Sequence, residues 1–230
     1  ILFHLTNYGL PVWYDRHKML LGDERDNKNF DEGVKACNYS IIILSANTIA
    51  SECANEEIDL IYQRYKQHKM YVFPIFFNIK ASQLPEKYCW MKRLVYKELT
   101  VANDSRSACN HIICKVTLDE LQKYKIKTIN EYLKLYKNNK AFSYLTELID
   151  SYCKISDENH NAQIALLYAG CLYIKEKYNC CLEIPEFYYK GIQRLFEETR
   201  LNLPIDLRET LIFERLFLLL FNAAIFGYTI

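Results

Sequence analysis

Two apolar runs constrain the fold of this chain more than any other feature. Residues 40–45 read SIIILS and residues 70–79 read MYVFPIFFNI. Both are short, nearly uninterrupted and rich in β-branched or aromatic side chains, the pattern of strands buried on both faces of a sheet. Between them, from Ser51 to His68, apolar residues recur at helical spacing. Strand, helix, strand at this length joins parallel neighbours through a crossover.

The alternation extends to either side. ILFHLTNYGL reads as a helix stopped by Gly9, and Pro11–Asp15 (PVWYD) as a short β-rich run. Residues 16–29 are polar, contain Gly22 and read as a loop; Phe30–Cys37 suits a short helix. Pro85 marks a loop, and a further helix is expected over much of Lys92–Cys114, with Asn103-Asp104-Ser105 as a break point. The expected fold class here is α/β, a parallel sheet with flanking helices. Ligands of such sheets sit at the carboxyl ends of the strands, so the loops after Asp15, Ser45 and Ile79 are the places to look for function.

The second half differs. Thr117-Leu-Asp-Glu120 has the form of a capping box. Helices are expected over 117–137, 141–154, 160–178, 185–200 and 206–226, with Pro185 and Pro204 at starts or breaks. The expected division is residues 1–115 as the α/β part and 116–230 as an all-α region. Leu216–Ile230 is apolar but interrupted by Asn222, Gly227 and Thr229, and falls short of the ~20 residues that cross a bilayer. A buried amphipathic helix is expected there, and no membrane association.

Composition excludes several classes. The 230 residues are 50% hydrophobic with a net charge of +1, which argues against disorder and against a broad basic surface for nucleic acid. Nine cysteines, an odd number without a framework pattern, fit a reducing, cytoplasmic interior. The chain begins at Ile1 rather than Met, so a further N-terminal segment is expected upstream. Cys109, His111 and Cys114 lack a second cluster at zinc spacing and, like Cys180-Cys181, read as buried thiols rather than ligands; no metal is expected. Six glycines form no phosphate loop, and five scattered histidines give no support to a Ser-His-Asp triad.

Residues 51–60, SECANEEIDL, hold the candidate chemistry. At about 100° per residue, Ala54, Ile58, Ile61, Tyr62 and Tyr65 share one side of the helix. Glu56 then points about 180° from that side, into solvent, while Glu57 stands about 80–90° from it, at the boundary. A boundary carboxylate near a helix N-terminus, beside a strand's carboxyl end, is able to line a cleft. Asp15 and Ser51 have plain structural readings, a turn aspartate and a helix N-cap.

From Leu5 to about Pro85 the chain resembles a Toll/interleukin-1 receptor-like (TIR) domain. Gly9-Leu-Pro-Val-Trp-Tyr-Asp15 is similar to the family's second strand with its preceding glycine and closing aspartate. Leu21-Gly22-Asp23 resembles part of the BB loop. Phe30-Asp-Glu-Gly-Val34, followed by Ser40-Ile-Ile-Ile-Leu-Ser45, resembles the next helix and strand. Ser51-Glu-Cys-Ala-Asn-Glu-Glu57-Ile58 resembles the motif that carries the catalytic glutamate, and Val72-Phe-Pro-Ile-Phe76 the strand after it. Cys53 stands where the family usually has Trp, so one wall of the nicotinamide pocket differs. The family's first strand and its loop should precede Ile1.

The resemblance implies a flavodoxin-like sheet and an NAD+ glycohydrolase. At the family's spacing from Ser51 the catalytic carboxylate falls on Glu57; counting from Cys53 selects Glu56, which the helical geometry rejects. The implied site is Glu57 as catalytic residue, with Asp15, Ser45, Ser51 and Cys53 toward the substrate. NAD+ is the substrate and no separate cofactor is expected. The products are nicotinamide and either ADP-ribose or a cyclic ADP-ribose. The implied partners are other TIR domains, engaged through Arg16–Asn29, and the Lys-, Tyr- and Asn-rich usage fits an AT-rich microbial genome and antiphage immune signalling. Two alternatives stay open: a non-catalytic TIR adaptor acting through assembly, and a nucleoside-processing enzyme of the deoxyribosyltransferase type, which the Ser45/Ser51/Glu57 spacing fits less well.

Overall fold

The computed structural model describes the chain apart from residues 15–18, 25–29, 31–32, 102–104, 157, 181, 184–185, 201–206 and 228–230. It divides into two units: Val12–Ala108 (with Ile1), and Leu2–Pro11 together with Cys109–Ile230.

The first unit is built on a parallel sheet. β1 (Tyr39–Leu44) pairs with β2 (Tyr71–Phe77) from Tyr39↔Tyr71 to Leu44↔Phe76. β2 pairs in turn with β3 (Lys97–Leu99) from Ile75↔Lys97 to Phe77↔Leu99. Proline is unusual in a central strand because it has no N–H for the ladder. Pro74 is tolerated because β3 reaches only Ile75–Phe77, so on that side Pro74 has no partner strand among the described residues.

Two helices return the chain from β1 to β2: α2 (Ala46–Ala50) and α3 (Glu52–Lys66). Ile42 and Leu44 of β1, Ile58 and Ile61 of α3, and Val72 and Phe76 of β2 pack into one core with Leu84, Tyr88 and Met91. Each such side chain contributes roughly 1.5–3 kcal/mol when fully buried.

β2 is buried along Val72 and Pro74–Phe76, as a two-sided strand should be. β1 departs from the sequence expectation: Ile42 and Leu44 are buried but Ile43 is 44% exposed, and among the described residues β1 has a partner strand on one side only. Pro11–Tyr14 is not a strand either. A strand needs a hydrogen-bonding neighbour, and among the described residues none pairs with it. Trp13 instead lays its ring against Gly33, where an added Cβ would meet Cζ3 at 2.9 Å. The expected helix at Phe30–Cys37 includes residues outside the described set.

The expected helix over Lys92–Cys114 is replaced by three pieces. A 3-10 segment, Glu86–Arg93, leads to β3, and α4 (Arg106–Leu121) begins later. A three-residue strand is too short to announce itself by alternation.

The second unit is helical. α1 (Leu2–Asn7) precedes Tyr8, whose hydroxyl bonds Asn110 Oδ1 of α4 at 3.0 Å. After α4 come α5 (Ile129–Tyr136), α6 (Ser143–Lys154), α7 (His160–Tyr178), α8 (Glu186–Arg200) and α9 (Leu207–Phe226). α7 matches its sequence expectation at both ends. The expected helix 117–137 is broken, because α4 stops at Leu121 and α5 starts at Ile129. Thr117 is therefore buried inside α4 rather than a cap; the capping box that forms is Thr128 with Glu131. Phe213, Phe217 and Phe221 line the buried side of α9 at four-residue spacing.

Candidate active site at the start of the α3 helix

Hydroxyl caps shape the connection from β1 to α3. Ser45 leaves the strand in extended backbone and its Oγ accepts the Thr48 N–H at 3.2 Å, which starts α2. Thr48 Oγ1 donates to the Ile43 carbonyl at 3.0 Å and lies 3.0 Å from Ser45 Oγ. Ser51 then closes α2 and opens α3. Its N–H donates to the Thr48 carbonyl, and its Oγ accepts the Ala54 N–H at 3.3 Å. Such a cap is worth about 1 kcal/mol. The plain structural reading of Ser51 thus holds, while its hydroxyl keeps a proton to donate.

Past the cap, exposure follows the helical geometry. Glu52, Cys53 and Glu56 are exposed, Glu57 is half-buried, and Ile58 and Ile61 are buried. The two adjacent glutamates therefore occupy different surroundings. Cys53, expected in a pocket wall, is exposed. Asp15 lies outside the described residues.

The carboxyl ends of β1 and β2 finish side by side, since Leu44 pairs with Phe76. After Phe77, Asn78 adopts φ 53° and its N–H donates to the Leu99 carbonyl at 2.8 Å. The Ala81 N–H donates to Glu98 Oε1 at 2.8 Å. The Ser45–Ser51 connection and the Asn78–Gln83 loop thus flank one end of the sheet, the end at which open α/β sheets bind ligands. The helix that carries the half-buried Glu57 starts from that connection, and a half-buried carboxylate is suited to stabilising positive charge that develops on a bound molecule.

Part of the Arg16–Asn29 loop is described. Leu20 N–H donates to Asp23 Oδ2 at 2.8 Å, Asp23 N–H donates back to the Leu20 carbonyl at 3.0 Å, and Gly22 takes φ 97°. This turn leaves Leu20 79% and Leu21 108% exposed.

Sequence reading passed over Asn55. Its Nδ2 donates to the Ile49 and Ser51 carbonyls at 3.0 and 2.7 Å, and its Oδ1 accepts from Lys87 Nζ at 3.2 Å and from the Tyr88 hydroxyl. The available signal was an asparagine, a poor helix former, in the first turn of a helix already capped by Ser51.

Among the described residues no group of three or more His, Cys, Asp or Glu is placed to hold a metal ion. Cys109, His111 and Cys114 lie along α4, with both cysteines buried. Among the described residues no helix is long and apolar enough to cross a membrane.

Residues 1–113 match the family model of the TIR domain. The chain is similar to the NAD(+) hydrolase TcpC of Escherichia coli O6:H1, 33% identical over 82 residues, which is 35% of this chain and 26% of that protein. It is similar to the 2' cyclic ADP-D-ribose synthase AbTIR of Acinetobacter baumannii, 33% identical over 81 residues, 35% of this chain and 29% of that protein. A third relative is the NAD(+) hydrolase TcpA of a Theionarchaea archaeon, 26% identical over 80 residues, 35% of this chain and 24% of that protein. The matched stretch spans under a third of the length of each of these curated relatives. No solved structure matches the chain.

Proposed function

We propose, from the premise that residues 1–113 belong to the TIR domain family, that this protein cleaves the nicotinamide–ribose bond of NAD+ with Glu57 as catalytic residue. The observation that carries the reading is the half-buried setting of Glu57 beside the exposed Glu56, in the helix that follows the Ser45–Ser51 connection. Relatives named for NAD+ hydrolysis and for cyclic ADP-ribose synthesis support the substrate.

The chemistry asks little of the protein beyond charge and position. The bond between ribose C1′ and the nicotinamide nitrogen breaks with its electron pair going to nitrogen. The pyridinium charge is cancelled and neutral nicotinamide leaves, so no general acid is needed at that atom. Positive charge develops over ribose C1′ and its ring oxygen, and the Glu57 carboxylate stabilises it and holds the ribose hydroxyls. Water adding to C1′, with loss of a proton, gives ADP-ribose. A hydroxyl of the same substrate adding there gives a cyclic ADP-ribose.

Asp15, Ser45, Ser51 and Cys53 are proposed to face the substrate, and NAD+ needs no separate cofactor. The functional boundary is placed near residue 115, with the helical region 116–230 sensing a trigger or driving assembly in cytoplasmic antiphage signalling. The adaptor reading draws on one observation, the two exposed leucines of the Leu20–Asp23 turn. That surface fits TIR–TIR assembly, and assembly is compatible with catalysis.

The test uses the full-length protein and NAD+. Nicotinamide release that is lost in Glu57→Ala and kept in Glu56→Ala supports the proposal. Release that Glu57→Ala leaves intact sinks it.

A further inference from the structure

The face of α3 turned away from Glu57 is gripped along its length by the 3-10 segment Glu86–Arg93. Lys87 Nζ bonds Asn55 Oδ1 at 3.2 Å and Asp59 Oδ2 at 2.9 Å. The buried Tyr88 bonds Asn55 Oδ1 through its hydroxyl. Trp90 stacks on Tyr62 and Tyr65 with ring centroids 4.7 and 5.3 Å apart. Positions 55, 59, 62 and 65 form one stripe of the helix, and at about 100° per residue Glu57 lies on roughly the opposite side.

Asn55 is the hub of this grip. It ties the first turn of α3 to the Ile49 and Ser51 carbonyls on one side and to Lys87 and Tyr88 on the other. Two acceptors meet its amide nitrogen and two donors meet its amide oxygen, so one orientation of the side chain satisfies all four. Nothing in helix formation asks for asparagine here, because Ser51 already supplies the N-cap. What the hub does is lock the junction of α2 and α3, and with it the roll and axial position of the turn that carries Glu57.

We propose that Asn55, anchored by Tyr88, is a positioning residue that sets where the Glu57 carboxylate stands. This rests on the reading of Glu57 given above. A carboxylate that stabilises a short-lived cation acts only when placed within a fraction of an ångström, and a misplacement of about 1 Å costs on the order of 100-fold.

The experiment measures nicotinamide release by the full-length protein against NAD+ concentration and pH, with thermal melts to fix the folded fraction. Asn55→Ala is expected to lower kcat about 10- to 100-fold with KM within about threefold. The acid limb of its kcat profile should also move, since a displaced carboxylate sits in different surroundings; a smaller folded fraction would lower kcat without moving that limb. Tyr88→Phe keeps the buried ring, removes one donor, and is expected to lower kcat about three- to tenfold. If Asn55→Ala does not fold, Tyr88→Phe decides. Wild-type release that depends on Glu57, with kcat within twofold of wild type and an unmoved acid limb in the folded variants, overturns the positioning role and leaves the catalytic reading standing. Wild-type release that Glu57→Gln leaves intact overturns both.

Discussion

Gly170 of α7 sits against Phe217 of α9 so closely that an added Cβ would meet Cε2 of the ring at 2.7 Å and Leu148 Cδ1 at 3.0 Å. In an exposed helix, Gly→Ala gains about 1 kcal/mol from backbone propensity. Here the ring is fully buried, and overpacking a filled core costs about 1–3 kcal/mol. Steric cost is expected to win: Gly170→Ala should lower the unfolding free energy by a net ~1 kcal/mol, read as a lower urea midpoint. Gly170→Ala with Phe217→Leu should be less than additive, because the second change makes room for the methyl group. A raised midpoint in the single variant would show that α7 and α9 pack less closely.

The Thr128–Glu131 box makes a prediction with a sign. The Thr128 N–H and hydroxyl both donate to Glu131 Oε2, at 2.8 and 2.7 Å. The backbone bond from Thr128 first, and its hydroxyl second, hold the Glu131 carboxyl below its ordinary value of 4.5. A lowered native value means the ionised form is favoured by folding. That contribution is fully present above the ordinary value and is lost as pH falls through the native one. Glu131→Gln should therefore be less stable than the parent at pH 7, with the difference closing on acidification. Thr128→Ala should cost about 1 kcal/mol at neutral pH as the cap is lost. Chemical denaturation at several pH values checks both.

How much of this was legible beforehand depended on how local the cause was. β1, α3 and β2 follow from runs of residues whose pattern states its own period, and the separation of Glu56 from Glu57 needed only the angle per residue. The break between α4 and α5 did not follow, because part of its cause lies some 90 residues away: Arg215 Nε donates to the Leu121 carbonyl at 3.2 Å and its Nη2 to the Tyr124 carbonyl. β3 was hidden by its length, and its partner in β2 is needed to define it. Asn55 was hidden differently. Its identity was an anomaly that sequence exposes, but Tyr88 and Lys87, which explain it, come from a segment more than 30 residues on.

Cysteine reactivity should divide by burial. Cys53 is exposed, Cys153 is exposed, and Cys171 is buried. Burial pushes the Cys153 thiol up, and the nearby Asp150 and Glu214 carboxylates push it further. Burial pushes the Cys171 thiol far above its ordinary value, with Lys175 only partly opposing. Thiolate is the reacting species. At pH 8, iodoacetamide should label Cys53 first, Cys153 more slowly, and Cys171 only after the chain unfolds. Mass spectrometry of timed digests reads the order. Labelling of Cys171 on the timescale of Cys53 would mean that the α7 core opens readily in the native state.

Arg215 offers the sharpest test of the helical unit, because it reaches from α9 to carbonyls that α4 cannot satisfy by itself. The last turn of a helix leaves its carbonyls without intrahelical donors. Arg215 supplies two such donors to the chain around residues 121–124, and a hydrogen bond from a charged group is worth about 1.5–3 kcal/mol when well shielded. Its guanidinium is only partly buried, so the lower end of that range applies. Arg215→Met keeps most of the aliphatic stem and removes the donors. It should lower stability by about 1.5 kcal/mol. The local effect is more specific than the global one. Amide hydrogen exchange should accelerate in the last turn of α4 and the following turn, residues 118–124, while the first turn of α5, held by its own Thr128 box, keeps its protection. Equal acceleration over both segments would mean that Arg215 supports the unit as a whole rather than the end of α4.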